Sequence, residues 1–104
     1  MKFTGTLKSV GAVRQGTSKQ TGEPWAFTPV VMEWKETNDQ TLTETTHSVC
    51  MDVKGVLDEA RCKQAIDQKE LVPFTLFLDV REYKGRHFTD IKGYLPKEFI
   101  YKGF

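Results

Sequence analysis

The chain has 104 residues, 38% of them hydrophobic and 12% aromatic, which suits one compact domain (residues 1–104) and excludes a disordered chain. Its formal net charge of +1 excludes the strong overall basicity that would by itself point to nucleic acid. No run approaches the roughly 18 apolar residues that a bilayer needs, and residues 1–5 lack a signal-peptide core, so a cytoplasmic location is expected.

Residues 3–14 begin with alternation, Phe3, Gly5 and Leu7 against Thr4, Thr6 and Lys8, and the register shifts near Gly11, where a bulge or barrel corner is expected. Residues 15–24 are dense in Gly, Thr, Ser and Pro and read as a flexible loop. Residues 25–35 form a second strand that is apolar on both faces. Trp25, Phe27, Pro29 and Val31 lie on one side; Ala26, Thr28, Val30, Met32 and Trp34 lie on the other. Alternation leaves open which side is core. Pro29 cannot donate to a ladder, so an edge or a bulge is expected there.

Residues 36–43 are a polar connection, and residues 44–53 read as a third strand with His47, Val49, Met51 and Val53 on one side. Residues 55–68 carry helix formers and no proline, and are the one helical segment expected. Residues 71–95 then alternate as a β-hairpin. If Lys84-Gly85 is a two-residue loop, counting outward places Val80 opposite Thr89, Leu78 opposite Ile91 and Leu76 opposite Gly93. That face is expected to be core. The opposite face pairs Tyr83 with Arg86, Arg81 with Phe88 and Phe77 with Lys92, so aromatic and cationic side chains alternate outward. Residues 96–104 are an aromatic-rich tail, open to packing on the barrel or on a partner.

Three strands, a helix and a hairpin make the order of a mostly β protein, a five-stranded OB-fold β-barrel with its helix between strands three and four. An SH3-like barrel would not need the helix, and a β-sandwich would want more strands. Residues Met1-Lys2-Phe3-Thr4-Gly5, Gly16-Thr17-Ser18-Lys19, Trp25 and above all residues 81–91, REYKGRHFTDI, carry a further indication. On these the chain resembles a family of small bacterial OB-fold proteins, some of them described as single-stranded DNA-binding. The likeness covers the first and last thirds and is loose between residues 32 and 70. It implies the same barrel, a single-stranded nucleic-acid ligand, and one stacking position fewer, because His87 stands where the family often carries an aromatic.

Chemistry on the residues themselves is sparse. His47 and His87 are isolated, no Ser-His-acid or Cys-His spacing occurs, and Cys50 and Cys62 belong to no zinc motif, so neither an enzyme nor a metal or cofactor is expected. Charge separates along the chain, with a net +3 over residues 1–31, −5 over 32–60 and +2 over 71–104, which an ordinary mixed surface also produces. Asp79 and Asp90 face each other in the hairpin register, where Arg81 or Lys92 is expected to relieve them.

Binding of a single strand needs aromatic faces for bases and cations for phosphates. In an OB barrel these come from strands two and three and from the loops joining strands one to two and four to five. Those places hold Arg14, Lys19, Trp25 and Phe27, then Tyr83, Lys84, Arg86 and Phe88. Single-stranded nucleic acid, DNA rather than RNA, is therefore the expected partner. The alternative is an OB-type protein-interaction or oligomerisation module, and oligosaccharide binding would share the aromatics without needing the cations. A homo-oligomer is expected because an edge at Pro29 and the tail from Phe99 would leave apolar surface.

Overall fold

The structure, a computed structural model, describes residues 1–101. In chain order the elements are β1 (Lys2–Val10), β2 (Arg14–Thr17), β3 (Pro24–Asn38), β4 (Thr43–Lys54), α1 (Glu59–Asp67), β5 (Leu71–Tyr83), β6 (Arg86–Tyr94) and a short 3₁₀ turn at Lys97–Phe99. β1 pairs with β3, β3 with β4, β4 with β6, β6 with β5, and β5 again with β1, which closes a five-stranded barrel. Only the β4–β6 contact is parallel. The helix lies between β4 and β5, not between β3 and β4. The expected numbering is displaced because the Gly- and Ser-rich stretch after Val13 is not a plain loop. Its first residues form the four-residue β2, paired alongside β3 from Arg14–Phe27 to Thr17–Pro24.

Thr28, Val30 and Met32 of β3, with Met51 and Val53 of β4, point into the barrel and are buried. Trp25 and Phe27, on the alternate side, therefore face out. The one polar residue among those inward positions is satisfied, since the Thr28 hydroxyl donates to the Gly55 carbonyl at 2.8 Å. Leu7, Val72, Phe74, Leu76, Leu95, Cys62, Ala65, Leu57 and Phe99 fill the remaining core.

α1 starts later than expected. Gly55 has φ +101°, a left-handed turn, and Leu57 bridges to Ile100, so helix begins only where the Asp58 carboxylate accepts the Arg61 N–H at 3.1 Å. Arg61 then donates to Glu70 at 2.7 and 2.8 Å and to Glu98 at 2.7 Å, with its guanidinium 4.4 Å from the Phe99 ring centre. These partners hold the guanidinium firmly protonated and the Glu70 carboxyl below its usual range. Burial pushes the Cys62 thiol up.

Two expectations about exposed surface are corrected here. Phe99 is completely buried and Ile100 packs against the core, so this part of the tail covers its own barrel, while Tyr101 is exposed. Residues 102–104 of that tail lie outside the described residues. Pro29 is not on an edge: β3 has β4 on one side, and on the other β1 ends at Val30 while β2 begins at Phe27. The missing N–H falls in the gap between those two partners. The bulge of β1 lies between Leu7 and Ser9, ahead of Gly11.

The hairpin register is the one counted outward from Lys84-Gly85, with nine pairs from Thr75–Tyr94 to Tyr83–Arg86. Both loop residues have positive φ, 50° and 76°, as this type of turn requires. Its inner face is core only as far as Leu76. Leu78 and Val80 are each 61% exposed and Ile91 37%, against the expectation of a continuous core face. The reason is lateral. β1 pairs with β5 through Thr75, and β4 meets β6 only at Asp52–Lys92 and Val53–Gly93. Beyond those pairs the hairpin leaves the barrel as a two-stranded ribbon. The outer part of β3–β4 projects in the same way, and the radius of gyration, 15.9 Å, exceeds the roughly 13 Å of a compact chain this long.

Candidate nucleic-acid interface

Closure of the barrel decides which aromatics are available. The outward side of β3 carries Trp25, 43% exposed, and Phe27, half-buried, with ring centres 6.1 Å apart. Trp25 packs on Gly16, where a Cβ would overlap the indole ring, and that close approach explains a glycine in β2. Arg14 pairs with Phe27 across β2–β3 and forms a 2.6 Å ion pair with Asp52.

On the ribbon, Tyr83 (64% exposed) and Phe88 (44%) stand on the outer face with Arg81 and Arg86. The Lys84 ammonium sits 5.3 Å from the Tyr83 ring centre. Lys92 of β6 stands on the same face of the hairpin nearer the barrel, and its ammonium lies 5.2 Å from the Phe27 ring centre. Lower on the same side, Phe77 and Tyr94 stack at 5.2 Å. Lys92, Phe77 and Tyr94 thus extend the eight residues named from sequence. Register alone placed them on this side; it was the β4–β6 contact, invisible to local patterning, that carried Lys92 to Phe27. Lys19 is exposed on the β2–β3 loop, and no contact ties it to either group.

The carboxylates matter as much as the cations. Lys92 binds Asp79 at 2.8 Å and Arg81 binds Asp90 at 2.7 Å, so the two facing aspartates are relieved by the expected partners. The Lys92 ammonium holds the Asp79 carboxyl below its usual range, with Arg81 adding a smaller effect. Arg14, Arg81 and Lys92 are therefore already neutralised. Of the cations on or beside this face, Lys19, Lys54, Lys84 and Arg86 make no ion pair and remain available to an anion.

Trp25, Tyr83, Phe88 and Tyr94 are exposed along this face. A cleft of about 660 Å³ lies elsewhere, against Thr6, Lys8, Trp34 and Ile66, and has no part in it. No group of three or more potential metal ligands occurs among the described residues, and none of their helices is long and apolar enough to cross a membrane. No protein-family model matches the chain, and no curated protein does.

Proposed function

We propose that this chain is an OB-type module that binds single-stranded nucleic acid, DNA in preference to RNA, across the outer face of β3–β4 and the β5–β6 ribbon. Counting barrel strands alone, the order is first, second, third, fifth, fourth, with the helix after the third, which is how an OB barrel is arranged. The observation that carries the reading is the junction at Lys92 and Phe27. It links the aromatics of β3 to the base of the hairpin face that carries, farther out, the second group of aromatic and cationic side chains. Bases stack on Trp25, Phe27, Tyr83 and Phe88, while Lys54, Lys84 and Arg86 meet phosphates. The likeness to small bacterial OB-fold proteins points the same way.

With few unpaired cations, affinity on the order of micromolar is expected at moderate salt, and each phosphate contact adds roughly −0.7 to the slope of log affinity against log salt. The test is fluorescence anisotropy of a labelled oligonucleotide of roughly 20–30 nucleotides, titrated at two salt concentrations. Trp25→Ala or Phe88→Ala, each checked for folding, weakens binding about tenfold or more, because one stacked base is worth ~1–3 kcal/mol. Lys84→Glu combined with Arg86→Glu lowers affinity and flattens the salt slope by about one or more. Absence of binding at low salt, or affinity indifferent to salt, defeats the reading.

A further inference from the structure

β5 keeps a neighbour on its β1 side only as far as Leu76. The Leu76 N–H donates to the Met1 carbonyl at 2.8 Å, and its carbonyl accepts from the Met1 amino group at 2.9 Å. Groups facing one edge recur at every second residue of an antiparallel strand. Leu78, Val80 and Glu82 therefore direct their N–H and C=O groups outward, where no strand lies among the described residues. Two of these three are the most exposed apolar side chains on the ribbon's back face, at 61% each. An open edge with apolar flanks is a template for another strand.

The order of side chains along that edge says which strand. Residues 77–83 read Phe-Leu-Asp-Val-Arg-Glu-Tyr, and reversal about Val80 sets Asp79 against Arg81 and aromatic against aromatic, with Leu78 against Glu82. We propose that two copies of this chain pair antiparallel through this edge of β5, with Val80 on the two-fold axis. Asp79 then faces Arg81 of the second copy, Phe77 faces Tyr83, and Val80 meets its own counterpart beside the apolar part of Leu78.

Charge selects this register. Moving the axis one residue either way keeps the hydrogen bonds in phase but sets Asp79 against Asp79, or Arg81 against Arg81. In the favoured register Asp79 lies between its own Lys92, 2.8 Å away, and Arg81 of the second copy, which keeps its own Asp90 at 2.7 Å. The next pair would meet Leu76, already occupied by Met1, so the open segment ends where the complementarity ends. The product is a continuous four-stranded sheet with both aromatic and cationic faces on one side. Any gain in nucleic-acid affinity from that doubling rests on the function proposed above; the pairing itself does not.

The contact is small, so a reversible, concentration-dependent dimer is expected. Sedimentation velocity on the full chain without nucleic acid, from micromolar to millimolar concentration, reads it directly. Val80→Pro removes an edge N–H that the ladder with β6 does not use, and weakens self-association at least about tenfold. Thr89→Pro, on the opposite edge of the ribbon, leaves it unchanged. Asp79→Arg and Arg81→Asp are each monomeric alone, with far-UV circular dichroism confirming the fold. Mixed in equal amounts they associate, because every facing pair is then opposite in charge. A wild-type protein that stays monomeric throughout overturns the proposal. So does a dimer indifferent to Val80→Pro, dissociation by Thr89→Pro instead, or a mixture that associates no better than its components.

Discussion

Phe74 and Val80 stand on the same face of the same strand, six residues apart, and belong to different environments. Phe74 is 3% exposed, against Phe3 at a ring separation of 5.6 Å and Trp34 at 6.0 Å. Val80 is 61% exposed, with Thr89 across the ladder and no third strand at its side. Both obey the same alternation. A period of two reports which side a residue faces, not how far its strand has travelled from the barrel. Depth is set by lateral partners, and those belong to β1 and β4, distant in sequence.

The contrast can be broken or sharpened by measurement. The largest effect is expected at the base: Phe74→Ala removes a buried ring and costs about 3–5 kcal/mol in urea unfolding. A loss under about 1 kcal/mol would mean that the lower hairpin is no better packed than the ribbon. Val80→Thr keeps the β-branch and, in dilute protein, changes stability by less than about 0.5 kcal/mol. A larger loss would reveal packing on the ribbon within a single copy.

The smallest effect is electrostatic. The Asp79 carboxyl is held down by Lys92, so its contribution is present above the unfolded pKa and is lost as pH falls through the folded value. A carboxyl carbon NMR titration is expected to place Asp79 below an ordinary aspartate, and Lys92→Met to move it back up. Ribbon amides should exchange faster below that midpoint while those of the barrel base do not respond. An ordinary midpoint in the wild type would mean that the ion pair is not formed in solution.

The hairpin was readable because a two-residue turn sets a register by counting, and Gly85 with Lys84 at positive φ makes that turn. The faces of β3 were not. Thr28 among the inward residues and Trp25 among the outward ones blur the contrast on which pattern reading depends; burial in the barrel settles it, with the Thr28 hydroxyl satisfied by Gly55. β2 escaped notice since its four residues show no alternation; it is defined by its partner and by a bare Gly16 under Trp25. Pro29 suggested an edge through its missing donor, yet a gap between two successive neighbours serves equally well. The tail's aromatics announced apolar surface, and their docking depended on Arg61, whose partners lie 9 and 37 residues away. Of the candidate site, the residue types and their grouping on the ribbon were legible. The meeting of ribbon and β3 face was not, because it depends on strand order.

Burial of Phe99 also dictates a sequence of events in time. β1, the earliest of these strands in the chain, must wait for both β3 and β5 before both of its edges are satisfied, and the core is not full until the 3₁₀ turn has been synthesised and Arg61 has closed over it. A nascent chain halted after β6 would hold a complete set of barrel strands around a hole the size of a phenyl ring. With contacts this remote in sequence, folding belongs to the slow regime of milliseconds to seconds. Replacing Phe99 by a small residue should therefore leave that last step of consolidation incomplete in a barrel whose strands are all present.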